Sequence, residues 1–354
     1  MAYKLYENLG GPNDVLEKIR DFLTEHAWEI LNNCTDDLDI TGAGTYDGKV
    51  LAVHKGDVYI IMRSANGKII FDEQNNSANA YGIGIVGATN YTVSPPSGYW
   101  FDQPNATRNT SQKVIGAGIP AKKDANYRLY CNYISDPADM VIVTLELEQG
   151  LFQHMAFGTT QKVGAWTGGT LYSASKSSKS IFPAGWTAEQ IAFGSNHLFG
   201  TSDDPSTYLR IDVDAAPLRQ NPVLWAAAGP SITGKILGST LTNIQHINES
   251  WFPKIPHFAY LQSQTGDDYG RNVNTLNCIS VNMPIALFIQ RDPDSLLNYS
   301  QVGYVPGIYF ISMRNVASAS TYEISYPKSG NLHQAFPFVK RGGMFGYDGI
   351  SIMQ

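Results

Sequence analysis

Residues 127–169 read YRLYCNYISDPADMVIVTLELEQGLFQHMAFGTTQKVGAWTGG, and they contain the clearest strand pattern of the chain. From Met140 to Glu148, apolar and polar residues alternate, which is the period of a strand with one buried face and one face in water. Gln149-Gly150 then supplies a two-residue hairpin turn, and a second, aromatic-rich strand follows from Leu151 to Gln161. Tyr127 to Tyr133 reads as a third strand, joined to the hairpin by a polar turn. The stretch therefore predicts a three-strand antiparallel meander.

An amphipathic helix is predicted near the N-terminus. Residues 10–14 provide a glycine break, a proline suited to a first helical turn and early acidic charge. Apolar residues then follow one helical stripe as far as Asn32, with charged residues on the opposite side. We expect this helix to dock on a sheet of its own chain. The alternative is that it packs on a neighbouring copy or on a different subunit.

Residues 34–100 read as short strands separated by turns. The patterns predict strands at Val50–Val53, Asp57–Arg63, Lys68–Phe71 and Tyr81–Val86. Between the second and third of these strands, an Asn-Gly pair marks the clearest hairpin turn of this region.

Two loops and three parts organise the chain. Segment 90–121 is polar and aromatic without a period, and segment 170–183 contains a small polar tract, so both are predicted to be loops. We divide the chain into a helical segment at 1–35, a main antiparallel β domain at 36–215 that carries both loops, and a β-rich region at 216–354 packed on the main domain. The predicted class is α+β and predominantly β, with antiparallel, sandwich-like sheets, one N-terminal amphipathic helix and long loops.

The composition argues against several classes of function. Charged residues make up only 16% of the chain and the formal net charge is −6, so we expect no direct binding of nucleic acid. Cys34, Cys131 and Cys278 are odd in number and widely spaced, which indicates neither a disulfide framework nor a zinc site. We expect no secretion signal, because the N-terminal residues lack a basic segment followed by an apolar one. We also expect no membrane span, because no apolar run approaches the roughly 18 residues that a span needs.

Three motifs resemble known sites only superficially. Gly82–Gly87 matches GxGxxG, but the residues after it do not open a helix, so we interpret it as close strand packing. His154 has apolar neighbours and no metal-ligand spacing, which favours a core or interface histidine satisfied by a carbonyl or a carboxylate. Ser173–Lys176 imitates SxxK without the motifs that accompany it in enzymes.

Aspartates and loop aromatics complete the candidates. The aspartates match no calcium-loop spacing and are assigned to turns and caps; they are Asp36, Asp37, Asp39, Asp203, Asp204, Asp212 and Asp214. The aromatic residues suit either a sugar platform or the core of a subunit interface, and their dispersal favours the interface; they are Tyr91, Tyr99, Trp100, Phe101, Trp166, Tyr172 and Trp186. We predict no catalytic, cofactor-binding or metal-binding residue.

Seven short segments carry a resemblance to a known group of proteins: Tyr127–Asn132, Leu145–Glu148, Phe152–Gly158, Gly164–Gly169, Gly303–Tyr309, Phe336–Pro337 and Gly346–Ile350. They resemble virion structural proteins of tailed bacteriophages, of the kind assigned to the tail tip, baseplate or neck. The resemblance runs from residue 127 to the last residue and is fainter in the N-terminal third. It implies a noncatalytic protein that is present in many copies and rich in interfaces, and it transfers no functional residue.

We therefore expect a non-enzymatic structural subunit of a phage tail or baseplate, located in the virion and assembled in the host cytoplasm. Its expected partners are further copies of itself, in a ring or trimer, and neighbouring virion proteins. The alternative is a receptor-binding adhesin of the tail that recognises host-surface glycans. A third reading, a hydrolase of wall polysaccharide, requires a pair of carboxylates in a cleft, and Glu146 and Glu148 are the acids to test.

Overall fold

The structure is a computed structural model, and the residues that it describes are 1–36, 48–68, 80–96, 98–104, 106, 115–118, 126–174, 207–212, 234–236, 282–290, 299–313, 316–325, 328–337 and 348–354. In chain order its elements are β1 (Ala2–Leu9), α1 (Pro12–Glu25), β2 (Glu29–Asp36), β3 (Lys49–Lys55), β4 (Val58–Lys68), β5 (Ala80–Ala88), β6 (Ile115–Gly118), β7 (Tyr127–Ile134), β8 (Met140–Glu148), β9 (Leu151–Thr159), β10 (Gln161–Lys162), β11 (Thr167–Ala174), β12 (Thr207–Asp212), β13 (Gly234–Ile236), β14 (Met283–Gln290), β15 (Tyr299–Ser312), β16 (Thr321–Ser325), β17 (Lys328–Pro337) and β18 (Asp348–Met353).

Three antiparallel sheets and one helix account for the regular structure of these ranges. Sheet A has the strand order β1-β7-β8-β9-β11-β12, and sheet B has the order β2-β3-β4-β5-β6. Sheet C has the order β13-β14-β15-β18-β17-β16, and the short β10 also pairs with β15. The predicted class, predominantly antiparallel β with one N-terminal helix, is confirmed.

The predicted meander is confirmed and lies at the centre of sheet A. Strands β7, β8 and β9 pair in sequence as antiparallel neighbours. Gln149 and Gly150 form the turn between β8 and β9, and Gly150 has φ 78°, a conformation that a glycine adopts without the strain that a side chain would add.

Both faces of β8 are buried from Val141 to Leu145, so the prediction of a wet face on this part of β8 is wrong. Val141, Val143 and Leu145 point into a core shared with sheet B and α1. On the opposite face, Ile142 belongs to a second core, shared with sheet C, and Thr144 is fully buried. Sheet C, contributed by residues more than a hundred positions later, covers the face that local alternation assigned to water.

The helix is shorter than predicted and docks on its own chain. Val15, Leu16 and Ile19 of α1 are buried in the core between sheets A and B, which confirms the docking. The helix ends at Glu25, however, and not at Asn32. The residues that continue the apolar stripe belong to β2, where Ile30 lies opposite Val53 of β3, because sheet pairing overrides the local helical pattern.

The predicted Asn-Gly hairpin in sheet B is wrong. Strand β4 continues through Asn66, which lies opposite Tyr81 of β5. The turn that does form is at Gly56, with φ 57°, and it joins β3 to β4. Residues 69–71, the rest of the predicted third strand, lie outside the described ranges.

Both predicted loops contain strand residues. Ile115–Gly118 of segment 90–121 forms β6 and pairs with β5. Thr170–Ala174 of segment 170–183 belongs to β11, which pairs with β9 in the interior of sheet A. Segment 1–35 contributes β1 to sheet A and most of β2 to sheet B in addition to its helix, while the three-part division stays a prediction. Within the described ranges, no helix is long and apolar enough to cross a membrane.

Candidate functional site

His154 is a buried histidine with both ring nitrogens engaged. It lies on β9, fully buried between sheets A and C. Its Nε2 is 3.1 Å from the carbonyl oxygen of Pro337, and because a carbonyl only accepts, Nε2 carries the proton. In the neutral ring, Nδ1 then accepts from the Thr144 hydroxyl at 3.0 Å. The predicted core histidine, satisfied by a backbone carbonyl, is confirmed, and it ties sheet A to sheet C.

Most of the loop aromatics pack against the chain itself. Trp100 and Phe101 are buried on the outer face of sheet B, against residues such as Ile61 and Val86, and Tyr91 and Tyr99 pack at the margin of this cluster. The Tyr99 and Phe101 rings stack with centroids 5.3 Å apart. These rings close an intramolecular core.

The other three aromatic candidates have separate places. The sequence predicts a loop position for Tyr172, but in the structure this residue is buried in β11. Trp166 donates from its indole nitrogen to the carbonyl of Val302 at 2.9 Å, and the Lys162 ammonium lies 4.8 Å from its ring centroid. Trp186 lies outside the described residues. The described members therefore do not meet in one exposed platform.

The remaining motifs fall into strands and strand ends. Gly82–Gly87 lies inside β5, and a Cβ added to its neighbour Gly116 would come within 2.0 Å of the Ile83 carbonyl, which confirms close strand packing. Ser173 is buried in β11, which corrects its assignment to the predicted loop 170–183. Asp36 and Asp212 end β2 and β12, and the other five aspartates lie outside the described residues. In the part of the chain that the structure describes, no group of three or more metal-binding side chains occurs.

A partly exposed polar cluster joins sheets A and B. The Lys55 ammonium of β3 lies 3.1 Å from the Asp139 carboxylate. It also lies over the Tyr133 ring and donates a hydrogen bond to the Tyr133 hydroxyl. The Tyr133 hydroxyl in turn donates to Asp139. Burial opposes the charged form of Lys55, but the hydrogen bonds to Tyr133 and Asp139 outweigh it and raise the pKa of Lys55. Burial and then the bond to Asp139 raise the pKa of Tyr133. His26 stacks on Tyr133 with centroids 4.9 Å apart, so the cluster also reaches the end of α1.

A second polar network lies on the outer face of sheet C. The Ser351 hydroxyl is 3.2 Å from Nδ1 of His333 and 2.7 Å from the Tyr322 hydroxyl, which donates to Asn282 at 2.9 Å. Burial lowers the pKa of His333 to about 4, so its ring is neutral at pH 7 and can accept. A serine beside a neutral histidine has the composition of a nucleophile and its base, but Ser351 has no exposed surface, so a substrate cannot reach it. The network instead joins β16, β17 and β18 to Asn282, the residue before β14.

Among the side chains of sheet A that the structure describes, the large exposed apolar ones lie on its first strand. Tyr3 is 40% exposed and Leu5 is 38% exposed, on the same face as their partners Asn132 and Tyr130 of β7. Glu7 is also exposed. On its other side, β1 pairs with no strand among the described residues. We refer to this unpaired side of β1, with the outward side chains of Tyr3, Leu5 and Glu7, as the β1 edge.

A charged group lies at the Glu7 end of the β1 edge. Arg128 of β7 contacts Glu7 at 3.1 Å and Glu146 of β8 at 3.5 Å. Glu146, one of the two acids considered for hydrolysis, accepts a hydrogen bond from the Tyr130 hydroxyl at 2.9 Å. Burial and this bond raise the pKa of Tyr130 to about 12. Glu146 therefore contacts an arginine and a tyrosine of its own sheet. The side chain of Glu148 lies outside the described part of the chain.

At its other end, the β1 edge meets sheet C. Burial raises the pKa of Tyr3, and a side-chain hydrogen bond to Gln334 of β17 opposes that rise. Leu332, two residues before Gln334 on β17 and therefore on the same face of that strand, is 51% exposed. Apolar surface from two sheets therefore borders this edge.

Sequence reasoning missed β1 and therefore missed this surface. The available signal is the alternation in AYKLYENL, where Tyr3 and Leu5 flank Lys4. The alternation is weak because charged residues interrupt it, as is common on edge strands. No protein-family model matches the chain, and a search of curated proteins finds no significant match.

Proposed function

We propose that this chain is a non-enzymatic structural subunit of a tailed-phage virion, a tail or baseplate component, and that it assembles with copies of itself and with neighbouring virion proteins. The observation that carries the proposal is the β1 edge. Tyr3 and Leu5 leave apolar surface open on a strand whose second side has no partner among the described residues.

An open strand edge favours assembly for two physical reasons. Its free N–H and C=O groups can extend the sheet into another chain, and its apolar side chains gain free energy when that chain removes them from water. Monomeric proteins commonly protect such edges. The residues described here leave this one open over Tyr3 and Leu5, and Leu332 adds to it from sheet C.

The contacts between the sheets support a structural role. Hydrogen bonds cross between sheets at several places: His154 bonds to Pro337, and Trp166 bonds to Val302. Lys55 and Asp139 join sheets B and A. Polar groups that bond across layers fix the relative positions of the sheets, which suits a subunit that must present its edges at defined angles.

The test is to look for the chain in particles. Virions from the phage that encodes it would be purified by density gradient and examined by quantitative mass spectrometry. We expect the chain at a fixed stoichiometry to other virion proteins. Its absence from purified particles would overturn the proposal. If the chain is present but binds glycans or host cells as a purified protein, the adhesin alternative is favoured over a purely structural role.

A further inference from the structure

We propose that two copies of this chain pair antiparallel along β1, with Leu5 of one copy opposite Leu5 of the other. The inference rests on the proposed function, because it identifies the surface through which the subunit contacts itself. Such a contact uses the same patch on both copies and closes on itself, so a larger ring needs a further contact elsewhere.

The alternation along β1 fixes the register. When Leu5 lies opposite Leu5, Lys4 lies opposite Tyr6, Tyr3 lies opposite Glu7, and each pair shares one face of the joined sheet. Lys4 already lies 5.1 Å from the ring centroid of Tyr6 within one copy, so the cross-copy pair repeats a favourable contact.

The neighbouring registers are less favourable. A shift that centres the pair on Lys4 places two ammonium groups opposite each other, which is destabilising. The shift that centres it on Tyr6 places Leu5 opposite the Glu7 carboxylate. A one-residue slip turns every side chain to the wrong face. The backbone also limits the paired length, because Asn8 has φ 61° and the register with β7 shifts between Tyr6 and Leu9.

The charges on β1 do not oppose this pairing. Lys4 forms an ion pair with Glu25 of α1, and Glu7 forms one with Arg128 of β7. Each ion pair lowers the charge that β1 presents to a second strand, although two Lys4 ammonium groups placed directly opposite each other would still repel. The uncharged outward residues Tyr3 and Leu5 then provide the apolar contact at the centre of the pair.

Cysteine cross-linking tests the register. Leu5→Cys should give a covalent dimer with a short bismaleimide, because directly opposite residues have Cβ atoms about 5 Å apart. Tyr3→Cys alone should not give a covalent dimer, since position 3 of one copy lies opposite position 7 of the other. The two introduced cysteines would then be four residues apart along the strands, about 13 Å. The double variant Tyr3→Cys/Glu7→Cys should regain the dimer. The unsubstituted chain, which carries Cys34, Cys131 and Cys278, gives the background.

Equal cross-linking of the Leu5→Cys and Tyr3→Cys variants would overturn the pairing, and so would an absence of cross-linking together with monomers in light scattering. Independently of the cysteines, Leu5→Arg should raise the dimer dissociation constant at least tenfold. Val163→Arg is the matched control, because Val163 is 43% exposed and is not part of β1. If Val163→Arg weakens the dimer as much, the pairing is overturned.

The failure of this inference is distinguishable from failure of the proposed function. A chain that is monomeric in solution and does not cross-link at Leu5, yet is present in purified virions, overturns the pairing and leaves the function intact. A chain that cross-links in the predicted register but is absent from virions supports the pairing and overturns the function.

Discussion

The face of sheet A that is turned toward sheet C has a closed end, which sheet C covers, and an open end, which it does not cover. At the closed end, Ile142 and Phe152 pack against Phe336 of sheet C, and the two phenylalanine rings lie 5.4 Å apart. At the open end, Tyr3 and Leu5 occupy the same face and remain about two-fifths exposed. The side chains are similar in kind, and only the presence of a covering sheet differs.

The difference shows that exposure on this face depends on long-range packing and not on local composition. Where sheet C lies over sheet A, even a polar residue such as Thr144 is buried and hydrogen-bonded. Where sheet C ends, large apolar residues remain in contact with water. We propose that at this open end the sheet continues into another chain, which pairs along the β1 edge.

The largest expected effect comes from opening the closed end. Phe336→Ala removes a buried ring that contacts Tyr130 and Phe152, so we expect the free energy of unfolding to fall by about 3–5 kcal/mol. Leu332→Ala is the control on the same face of β17, and we expect less than about 0.5 kcal/mol there because Leu332 is exposed. Urea denaturation of both variants measures the contrast, and similar losses would contradict it.

A smaller effect of acid is expected on the outer face of sheet C. The pKa of His333 is lowered to about 4 from an ordinary value near 6.5, so its contribution to stability is present above pH 6.5 and is lost as the pH falls toward 4. The shift corresponds to at most about 3 kcal/mol. Urea denaturation at pH 7.5 and pH 4.5 should show a larger acid loss in the unsubstituted chain than in His333→Gln. Equal acid losses in the two proteins would contradict the assignment.

A comparable test concerns the tie between the two sheets. His154→Leu leaves the Thr144 hydroxyl and the Pro337 carbonyl without their partner, so we expect a loss of about 1–3 kcal/mol. Adding Thr144→Val removes one of the two orphaned groups, and the double variant should be more stable than the sum of the single losses predicts. Strict additivity in thermal or urea unfolding would show that the two side chains do not act together.

The sequence predicts those parts of this fold that depend on residues close together along the chain. Alternation in 140–148 and the glycine at position 150 locate the central hairpin, since both signals are local. The sequence does not predict where α1 ends, because Ile30 fits the helical stripe as well as it fits a strand. Only the pairing of Ile30 with Val53 of β3, more than twenty residues later, decides between them.

The candidate surface was less predictable than the fold. Apart from β10 and β13, the strands of sheet C begin more than a hundred residues after Thr144, so nothing near Thr144 indicates that its face is covered. Similarly, the charged residues of β1 are only a weak signal of an edge strand, because the place of β1 at the end of the sheet follows from its pairing with β7, about 125 residues away. Burial of a strand face and exposure of a strand edge are properties of sheet order, which local periodicity does not contain.

The smallest expected effect lies at the boundary between the closed and open ends. Tyr130 packs against Phe336 and donates its hydroxyl to Glu146, beside Arg128. Tyr130→Phe keeps the ring and removes only the hydroxyl, so we expect a loss of about 1 kcal/mol at pH 8. Because the pKa of Tyr130 is raised to about 12, this contribution is fully present below pH 10 and is lost as the pH rises toward 12.

Urea denaturation at pH 8 and pH 11 should therefore show the difference between the unsubstituted chain and Tyr130→Phe shrinking with pH. Tyr59→Phe, on the outer face of sheet B, is the control for deletion of a hydroxyl away from Glu146. A difference for Tyr130→Phe that stays constant across this range would mean that the hydroxyl does not hold its proton against Glu146. The charged group of Arg128, Glu7 and Glu146 would then not be coupled to the core between sheets A and C. The boundary between the covered and the exposed end of sheet A would in that case lie at Phe336.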